Sequence, residues 1–510
     1  MNEEHLKFEN TSRVRSGDGR EYRDFLFAKG LNLIGSKTYL HQYLSSSNTS
    51  QRARCVAAVG WHQGTYVLPD RTYGEDKSRE RIVLQNPHLN SLPSYPLRGS
   101  LKEWQENIGR YAVGNSRLAF CISTALAAAV MHLLREDNAG LHLSGASSMG
   151  KSTALYVAQS VTGSPLYTWR STDNALEGIA ASVNDNLLLL DELGQIDGAA
   201  AEAVAYMLGN VQGKARANRL GNTRPVQAFR LLFLSTGEIG LAEKLAERGK
   251  VVRAGQSVRF VEIPADAGKE HGLFETLYGF ATAEKLAVHL RTAAEEYQGT
   301  AFDAFLRQVV KNVEEVRYTL MDHRQQWLAV NVPLDVNGQI NRVARKFALI
   351  AAAGSLATTW GILPWPKDEA DRAAAVMLNA WMGKQGDGEP FEITETIHRL
   401  RALLEKDGSS RFEVCGAGTA PDNTQRITNR AGFRRALDNG TLEYLLFRDT
   451  FRQEICAGGE ATKVAKILAD QGIFLKDSQG KTSRSETIPG MGKQRMYAVA
   501  PSWLEGDAHG

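Results

Sequence analysis

Nine consecutive residues, GASSMGKST from Gly145 to Thr153, carry the sharpest chemical signal in the chain. They fit the spacing G-x-x-x-x-G-K-[ST], between a short apolar run and a helical run. Gly145 and Gly150 let the backbone N–H groups of Ala146, Ser147, Ser148 and Met149 close on an anion, and the following helix start adds free donors and a favourable dipole. In that arrangement Lys151 reaches the β- and γ-phosphates of ATP, Ser152 ligates Mg2+, and Thr153 completes the motif.

A second signal is NLLLLDE, an apolar strand ending in Asp191 and Glu192. Two carboxylates at a strand end suit two tasks: Asp191 in the Mg2+ shell, and Glu192 orienting and polarising the attacking water. A third apolar run, FRLLFLSTGE, ends in small polar residues, and either Ser235 or Thr236 is placed to meet the γ-phosphate or the water. Arginines form a fourth set. Arg259 opens a strand in GKVVRAGQSVRFVEI, six residues after Arg253, and suits neutralising transition-state charge at a neighbouring subunit's ATP. Arg342 and Arg345 open the apolar helix NRVARKFALIAAAG and suit sensing of nucleotide from a lid. The fifth is QGKARANRLGNTRPVQAFR, which holds Lys214, Arg216, Arg219, Arg224 and Arg230 and no acidic residue. Such a loop suits tracking a phosphate backbone, although most charge runs are solvated faces.

These residues need a scaffold, and the pattern from residue 101 to 268 supplies one. Strands are expected near 141–144, 165–169, 186–190, 229–234 and 258–263. Helices are expected over 151–161, 173–183 and 199–211, with Asp173 as a cap of the second. Fully apolar strands alternating with helices imply a mostly parallel sheet covered on both faces, an α/β core. Residues 1–100 are strand- and turn-rich. Residues 269–366 read as a helical lid. The last region, 391–510, reads as α+β and winged-helix-like, ending in the basic hairpin segment KTSRSETIPGMGKQRMYAVA.

Bulk properties bound the reading. A length of 510 residues suggests two to four domains. Hydrophobic residues at 43% and charged residues at 23% are ordinary for a globular chain. A net charge of +3 neither demands nor excludes nucleic acid, so that argument must be local. Four cysteines without C-x-x-C spacing give no zinc or disulfide framework, which points to reduced thiols in the cytoplasm. The polar, acidic start MNEEHLKFEN is not a signal peptide. The apolar run from Phe347 to Leu363 is shorter than a membrane span of roughly 20 residues and reads as a buried helix, so no membrane partner is expected.

Taken together, GASSMGKST, LLLLDELGQ, YMLGNVQGKARAN, FLSTGE and VRAGQSVRFVEIP resemble the helicase-like AAA+ P-loop ATPases of phages, plasmids and integrated mobile elements. These are often catalogued as a domain of unknown function, or as helicases and inactivated derivatives. GWHQGTYVLPD and the stretch around Trp104 resemble the family's N-terminal part, and the likeness spans roughly residues 55 to 365. It implies an AAA+ fold, a homo-oligomeric ring, a hexamer by analogy, and a role in replicating a mobile element. By position Arg259 is similar to an arginine finger, Thr236 to a sensor residue, and the Lys214–Arg224 segment to a hairpin facing the ring pore and its DNA. The sensor strand ends in Ser-Thr where many members carry Asn. No primase carboxylate cluster is apparent, so a primase would come from another chain. The leading expectation is an ATP-driven DNA helicase or translocase on single-stranded or forked DNA. The alternatives are an ATPase switch that loads or remodels a nucleoprotein complex, a DNA-tethering protein with a decayed ATPase, and a small-molecule kinase. Intact Lys151, Asp191 and Glu192 weigh against decay, and the arginine-rich loop weighs against a kinase.

Overall fold

A computed structural model describes residues 23, 26–27, 30–32, 35–46, 53–74, 81–85, 92–210, 228–248, 254–333, 336–385, 391–415, 429–437, 440–456, 461–488 and 491–505. By its internal contacts the chain divides into two units. The first comprises residues 1–250, 258–334 and 341–381. The second comprises 251–257, 335–340 and 382–510.

The first unit begins with helix α1 (Lys37–Ser46) and five short strands: β1 (Ala53–Val56), β2 (Gly60–His62), β3 (Thr65–Val67), β4 (Thr72–Tyr73) and β5 (Arg81–Leu84). Strands β1 and β5 pair in parallel, and β2–β3–β4 form an antiparallel sheet. Its anchor is Asp185, which precedes a central strand. The Asp185 carboxylate accepts the Trp61 amide at 3.0 Å, its carbonyl accepts the Tyr66 hydroxyl at 2.7 Å, and Trp61 Nε1 donates to Ala129 at 2.6 Å. Gly60 has φ +101°, and a β-carbon there would collide with the Asp185 side chain. Only glycine brings the strand this close.

Helix α2 (Leu101–Asn107) starts at a capping box, in which Ser100 and Glu103 satisfy each other's backbone N–H. Helix α3 (Ser116–Leu134) follows. It is long and apolar enough to cross a membrane, yet 89% of that window is buried inside the unit, as in a core helix. The sequence singled out 347–363 as the longest apolar run and read it as a buried helix. Residues Phe347 to Ala353 of that run are likewise buried.

The central sheet contains β6 (Ala139–Ser144), β7 (Leu166–Thr168), β8 (Asn186–Asp191), β9 (Leu231–Gly237) and β10 (Phe260–Pro264), in the order β10–β6–β9–β8–β7, all parallel. Strands β6 and β9 are buried at every residue, as expected of strands covered on both faces. The connecting helices include α4 (Lys151–Thr162), α5 (Asp173–Ser182), α6 (Gly198–Gly209) and α7 (Leu241–Ala246). Gly150 at φ +87° admits α4, and Gly163 at φ +74° ends it. The cap of α5 is Thr172, whose side chain accepts the Ala175 N–H, rather than the expected Asp173. Asp197 caps α6. Strand β9 starts two residues later than expected. Side chains take up the backbone before it: Asn184 Oδ1 accepts the Arg230 N–H at 2.8 Å, and Asn138 Nδ2 donates to the Phe229 carbonyl at 3.3 Å.

The helices α8 (Ala283–Glu296), α9 (Thr300–Val309), α10 (Val313–Asn331), α11 (Gly338–Thr359) and α12 (Glu369–Gln385) follow. Phe347 of α11 packs its ring at a tilt against Phe120 of α3, with centroids 5.1 Å apart, and Trp365 donates to the Gly109 carbonyl at 2.8 Å. The stretch read as a lid therefore packs directly on the core helices of the first unit.

In the second unit, α13 (Phe391–Asp407) and α14 (Ala461–Asp470) pack on a five-stranded sheet. Its strands are β11 (Phe412–Val414), β12 (Gly432–Ala436), β13 (Leu442–Phe447), β14 (Arg484–Ile488) and β15 (Gly492–Val499), in the order β11–β12–β13–β15–β14. Leu400, Leu446, Phe451, Leu468, Phe474, Tyr497 and Val499 form the core between helices and sheet. The expected basic hairpin is present as β14–β15, but it forms one side of a five-stranded mixed sheet rather than a free two-stranded wing.

Candidate functional site

In a parallel sheet the crevice outside the strands' carboxyl ends lies where the strand order reverses. Here the chain leaves β6 towards β8 and β7, then returns through β9 to β10 on the other side, so the reversal falls between β6 and β9. The residues Gly145 to Gly150 begin at that point. The Gly145 N–H donates to the Gly237 carbonyl at the end of β9, at 3.3 Å. The Lys151 side chain turns into the loop, with Nζ 2.7 Å from the Gly145 oxygen and 2.6 Å from that of Ala146. Both partners are neutral carbonyl oxygens.

Asp191 ends β8 beside this loop. Its Oδ1 lies 3.4 Å from Ser152 Oγ and accepts a short hydrogen bond from the Thr236 hydroxyl of β9. The Glu192 N–H lies 3.4 Å from Thr236 Oγ1. Glu192 itself sits at φ +61°, a left-handed conformation costing roughly 1–2 kcal/mol for a non-glycine residue. Ser152, Asp191, Thr236 and the backbone of Glu192 thus converge at one place. A serine hydroxyl and a carboxylate at the first turn of a helix form the oxygen donor set that Mg2+ prefers, and the glycine loop beside them fits a phosphate group. The residues present fit Mg2+ and a nucleoside triphosphate.

The choice between Ser235 and Thr236 is decided by strand alternation. Thr236 faces Asp191. Ser235 faces the opposite side and binds buried partners, His142 Nδ1 at 2.9 Å and Trp169 Nε1 at 2.8 Å. Three further groups escaped the sequence reading. The Leu273 N–H donates to the Met149 carbonyl at 2.9 Å, and Gly272 at φ +59° lies so close that a β-carbon would come within 2.8 Å of the same carbonyl. A segment beyond the expected core boundary thus shapes the glycine loop. Lys244, nearly buried, donates to the Gly194 carbonyl at 3.0 Å and steadies the turn after Glu192. Asn138 holds both flanks of the basic segment: Nδ2 donates to Leu208 and Asn210, and Oδ1 accepts the Leu231 N–H. A lone polar residue inside an apolar strand, as in AGLHLS, was the available signal for His142.

The arginines lie elsewhere. Arg259 precedes β10 at the strand-start edge. Its carbonyl accepts the Gly140 N–H at 2.7 Å, and its side chain packs over Gly209. Five strand residues, about 16 Å at 3.3 Å each, separate it from the loop edge of the sheet. Arg345 is 3.8 Å from Glu136, just before β6, on the same far edge. Burial raises the Glu136 pKa, but Lys346, Arg324 and Arg345 outweigh it and hold the carboxylate below its ordinary range. Arg342, one turn earlier in the same helix, is exposed. Arg230 is tied down rather than offered to a ligand: its guanidinium donates to His132 Nδ1 at 2.7 Å and lies 3.8 Å from Asp185. Arg484 of the basic hairpin is likewise paired, 3.1 Å from Glu443. Lys214, Arg216, Arg219, Arg224 and Arg253 lie outside the described residues. A cleft of about 530 Å3 opens beyond β7, lined by Trp169, Arg170, Asn174, Gln195 and Asp197, and its lining does not include the glycine loop.

Comparison with known proteins gives two findings. A family model described as a domain of unknown function (DUF927) matches residues 2–228. No curated protein matches the chain. Among solved structures, the chain is similar to one described as "SCCmec type IV Cch - active helicase", with a TM-score of 0.64 at 16% identity, covering 92% of this chain and 83% of that one. The chain therefore shares the overall fold of a helicase of that description.

Proposed function

We propose that this protein is an ATP-dependent DNA helicase or translocase of a mobile genetic element, with an AAA+ P-loop core working as a homo-oligomeric ring. The observation that carries the reading is the convergence of the Gly145–Thr153 loop with Ser152, Asp191, Glu192 and Thr236 at the sheet's switch point. The fold shared with an active helicase supports the choice among ATP-driven machines.

In this reading the backbone N–H groups of Ala146 to Gly150 and the Lys151 ammonium bind the phosphates. Ser152 and Asp191 would hold Mg2+, which would supply neutralisation of the phosphate charge. Thr236 orients the Asp191 carboxylate by donating to Oδ1. Glu192, on its left-handed backbone, orients the attacking water and takes its proton. Arg259 lies too far from its own subunit's loop to touch the same nucleotide. Its role belongs to the neighbouring subunit's site, whereas Arg342 senses nucleotide from the lid. Lys214, Arg216, Arg219 and Arg224 contact DNA phosphates.

The direct test is a forked-DNA displacement assay on purified protein, with ATPase measured with and without single-stranded DNA. ATP-dependent strand separation, abolished by Lys151→Ala, is the expected result. DNA-stimulated hydrolysis without separation would replace the helicase by a loader. An absence of any Lys151-dependent hydrolysis would end the reading.

A further inference from the structure

One row of polar side chains crosses the central sheet beneath the candidate site, and nothing in the hydrolysis scheme uses it. Strand register places Ser235 of β9, His142 of β6 and Glu262 of β10 side by side. Trp169 joins the row from the end of β7. His142, Ser235 and Trp169 are all buried.

The direction of each hydrogen bond follows from chemistry. An indole N–H can only donate, so Trp169 Nε1 donates to Ser235 Oγ at 2.8 Å. A carbonyl can only accept, so His142 Nε2 carries a proton and donates to the Ile239 oxygen at 3.1 Å. In the neutral imidazole the Ser235 hydroxyl hydrogen then goes to His142 Nδ1, 2.9 Å away. The chain runs from Trp169 through Ser235 and His142 to Ile239, and of the two neutral tautomers it selects Nε2–H.

The far end of this chain is the turn that leaves β9. His142 grips the turn at the Ile239 carbonyl, and Glu262 grips it at the Leu241 N–H. Gly237, between Thr236 and the turn, is wedged. A β-carbon there would lie 3.1 Å from His142 Cε1, 3.1 Å from Leu193 Cβ and 3.0 Å from the Ile239 oxygen. The Gly237 carbonyl receives the Gly145 N–H of the glycine loop, and Thr236 bonds Asp191. The end of β9 therefore touches the loop, the carboxylate pair and the turn together, and His142 is the side chain that sets its height.

We infer that His142 is a positioning residue of the candidate nucleotide site. Acting through Ser235 and Ile239, it holds Thr236 against Asp191 and Gly237 against the glycine loop. This inference rests on the ATP-hydrolysing reading above. Because it concerns geometry around the reacting groups rather than phosphate contacts, its loss lowers kcat and leaves nucleotide affinity almost unchanged.

Two variants test it. His142→Phe keeps the ring and its packing on Phe260 but deletes both hydrogen bonds. Ser235→Ala breaks the same chain with almost no change of volume. Each should fold, bind a fluorescent ADP analogue within about twofold of wild type, and lose about 10- to 100-fold in kcat with KM held. His142→Gln, whose amide reaches the Nε2 position, should recover part of that loss. Without nucleotide, amide hydrogen exchange in the 237–241 turn should quicken in His142→Phe and Ser235→Ala. Wild type and Lys151→Ala run alongside. If wild type lacks Lys151-dependent hydrolysis, the site reading fails and this inference falls with it. If wild type hydrolyses ATP while a folded Ser235→Ala keeps both kcat and slow exchange in the turn, the inference alone is wrong. Should His142→Phe not fold, Ser235→Ala decides.

Discussion

Lys151 and Glu192 stand at the same sheet edge but are held in different ways, and that difference separates their tests. Lys151 lies inside the loop on two carbonyl oxygens. In the proposed function its ammonium is the charge that meets the phosphates, so Lys151→Ala should abolish nucleotide binding in a fluorescence titration. Glu192 meets the site through its backbone. Its backbone is fixed at φ +61° with its N–H near Thr236. Glu192→Gln should therefore keep the affinity within a few-fold and lose turnover by roughly 100-fold or more, the scale of a lost general base. Wild-type turnover in that variant would remove Glu192 from the chemistry. Binding retained in Lys151→Ala would remove the loop from the phosphate site.

At the level of elements, two packing devices lie outside the motifs, and the first of them shapes the site. Gly272 lies against the Met149 backbone at φ +59°, where a side chain has neither room nor a suitable backbone conformation. Gly272→Ala should displace the glycine loop and weaken nucleotide binding about tenfold or more while circular dichroism shows a folded chain. Unchanged affinity would mean the loop is set by its own residues alone. The second device is the Asp185 anchor between the N-terminal strands and the start of β8. Burial raises the Asp185 carboxyl above the ordinary aspartate value, against the downward pull of the Trp61 amide, His132 and Arg230. The folded chain thus holds that proton more tightly than the unfolded chain. Its contribution is fully present below the ordinary aspartate pKa of about 4 and is lost as pH rises through the raised native value. His132, lowered mainly by burial, contributes in the opposite sense, losing stability as pH falls below the ordinary histidine value. Asp185→Asn should flatten the decline in Tm with rising pH above about pH 4. Superimposable Tm profiles for the two proteins would show that the carboxyl is not perturbed.

For the whole molecule, the far-edge position of Arg259 makes assembly a matter of geometry. A site that needs an arginine from another copy is complete only between subunits. Arg259→Ala should bind ATP and lose hydrolysis, and mixing it with Lys151→Ala protein should restore part of the activity, because one type of interface regains both residues. Hydrolysis by a strict monomer at every concentration would contradict this. On the proposed reading, DNA binding falls either to the basic segment or to the second unit, and two variants separate them. Replacing Lys214, Arg216 and Arg219 by Ala should weaken DNA binding, lower the salt slope by about 0.9 for each lost phosphate contact, and abolish DNA stimulation while basal ATPase persists. If a chain cut before residue 391 loses all DNA affinity and the triple variant keeps it, the second unit is the DNA-binding part.

The sequence by itself determined the parallel α/β core. Glycine spacing, apolar strands and Asp-Glu at a strand end are local patterns, and local patterns fix turns, strand burial and the order of elements. For the same reason Gly145, Lys151, Ser152, Asp191 and Glu192 could be named as one group before any coordinates. Strand register decided what local pattern could not. Ser235 and Thr236 are neighbours in sequence, and only the pleat and the partner strands sent one to His142 and the other to Asp191. Sheet direction placed Arg259 and Arg345 at the edge remote from their own glycine loop. Close packing revealed the demand for glycine at 60 and 272, because the obstructing atoms come from residues more than a hundred positions away in the chain. Long-range contacts of this kind leave no periodic trace in the sequence. The row from Trp169 to Ile239 exists only because the sheet brings β7, β9 and β6 together in that register.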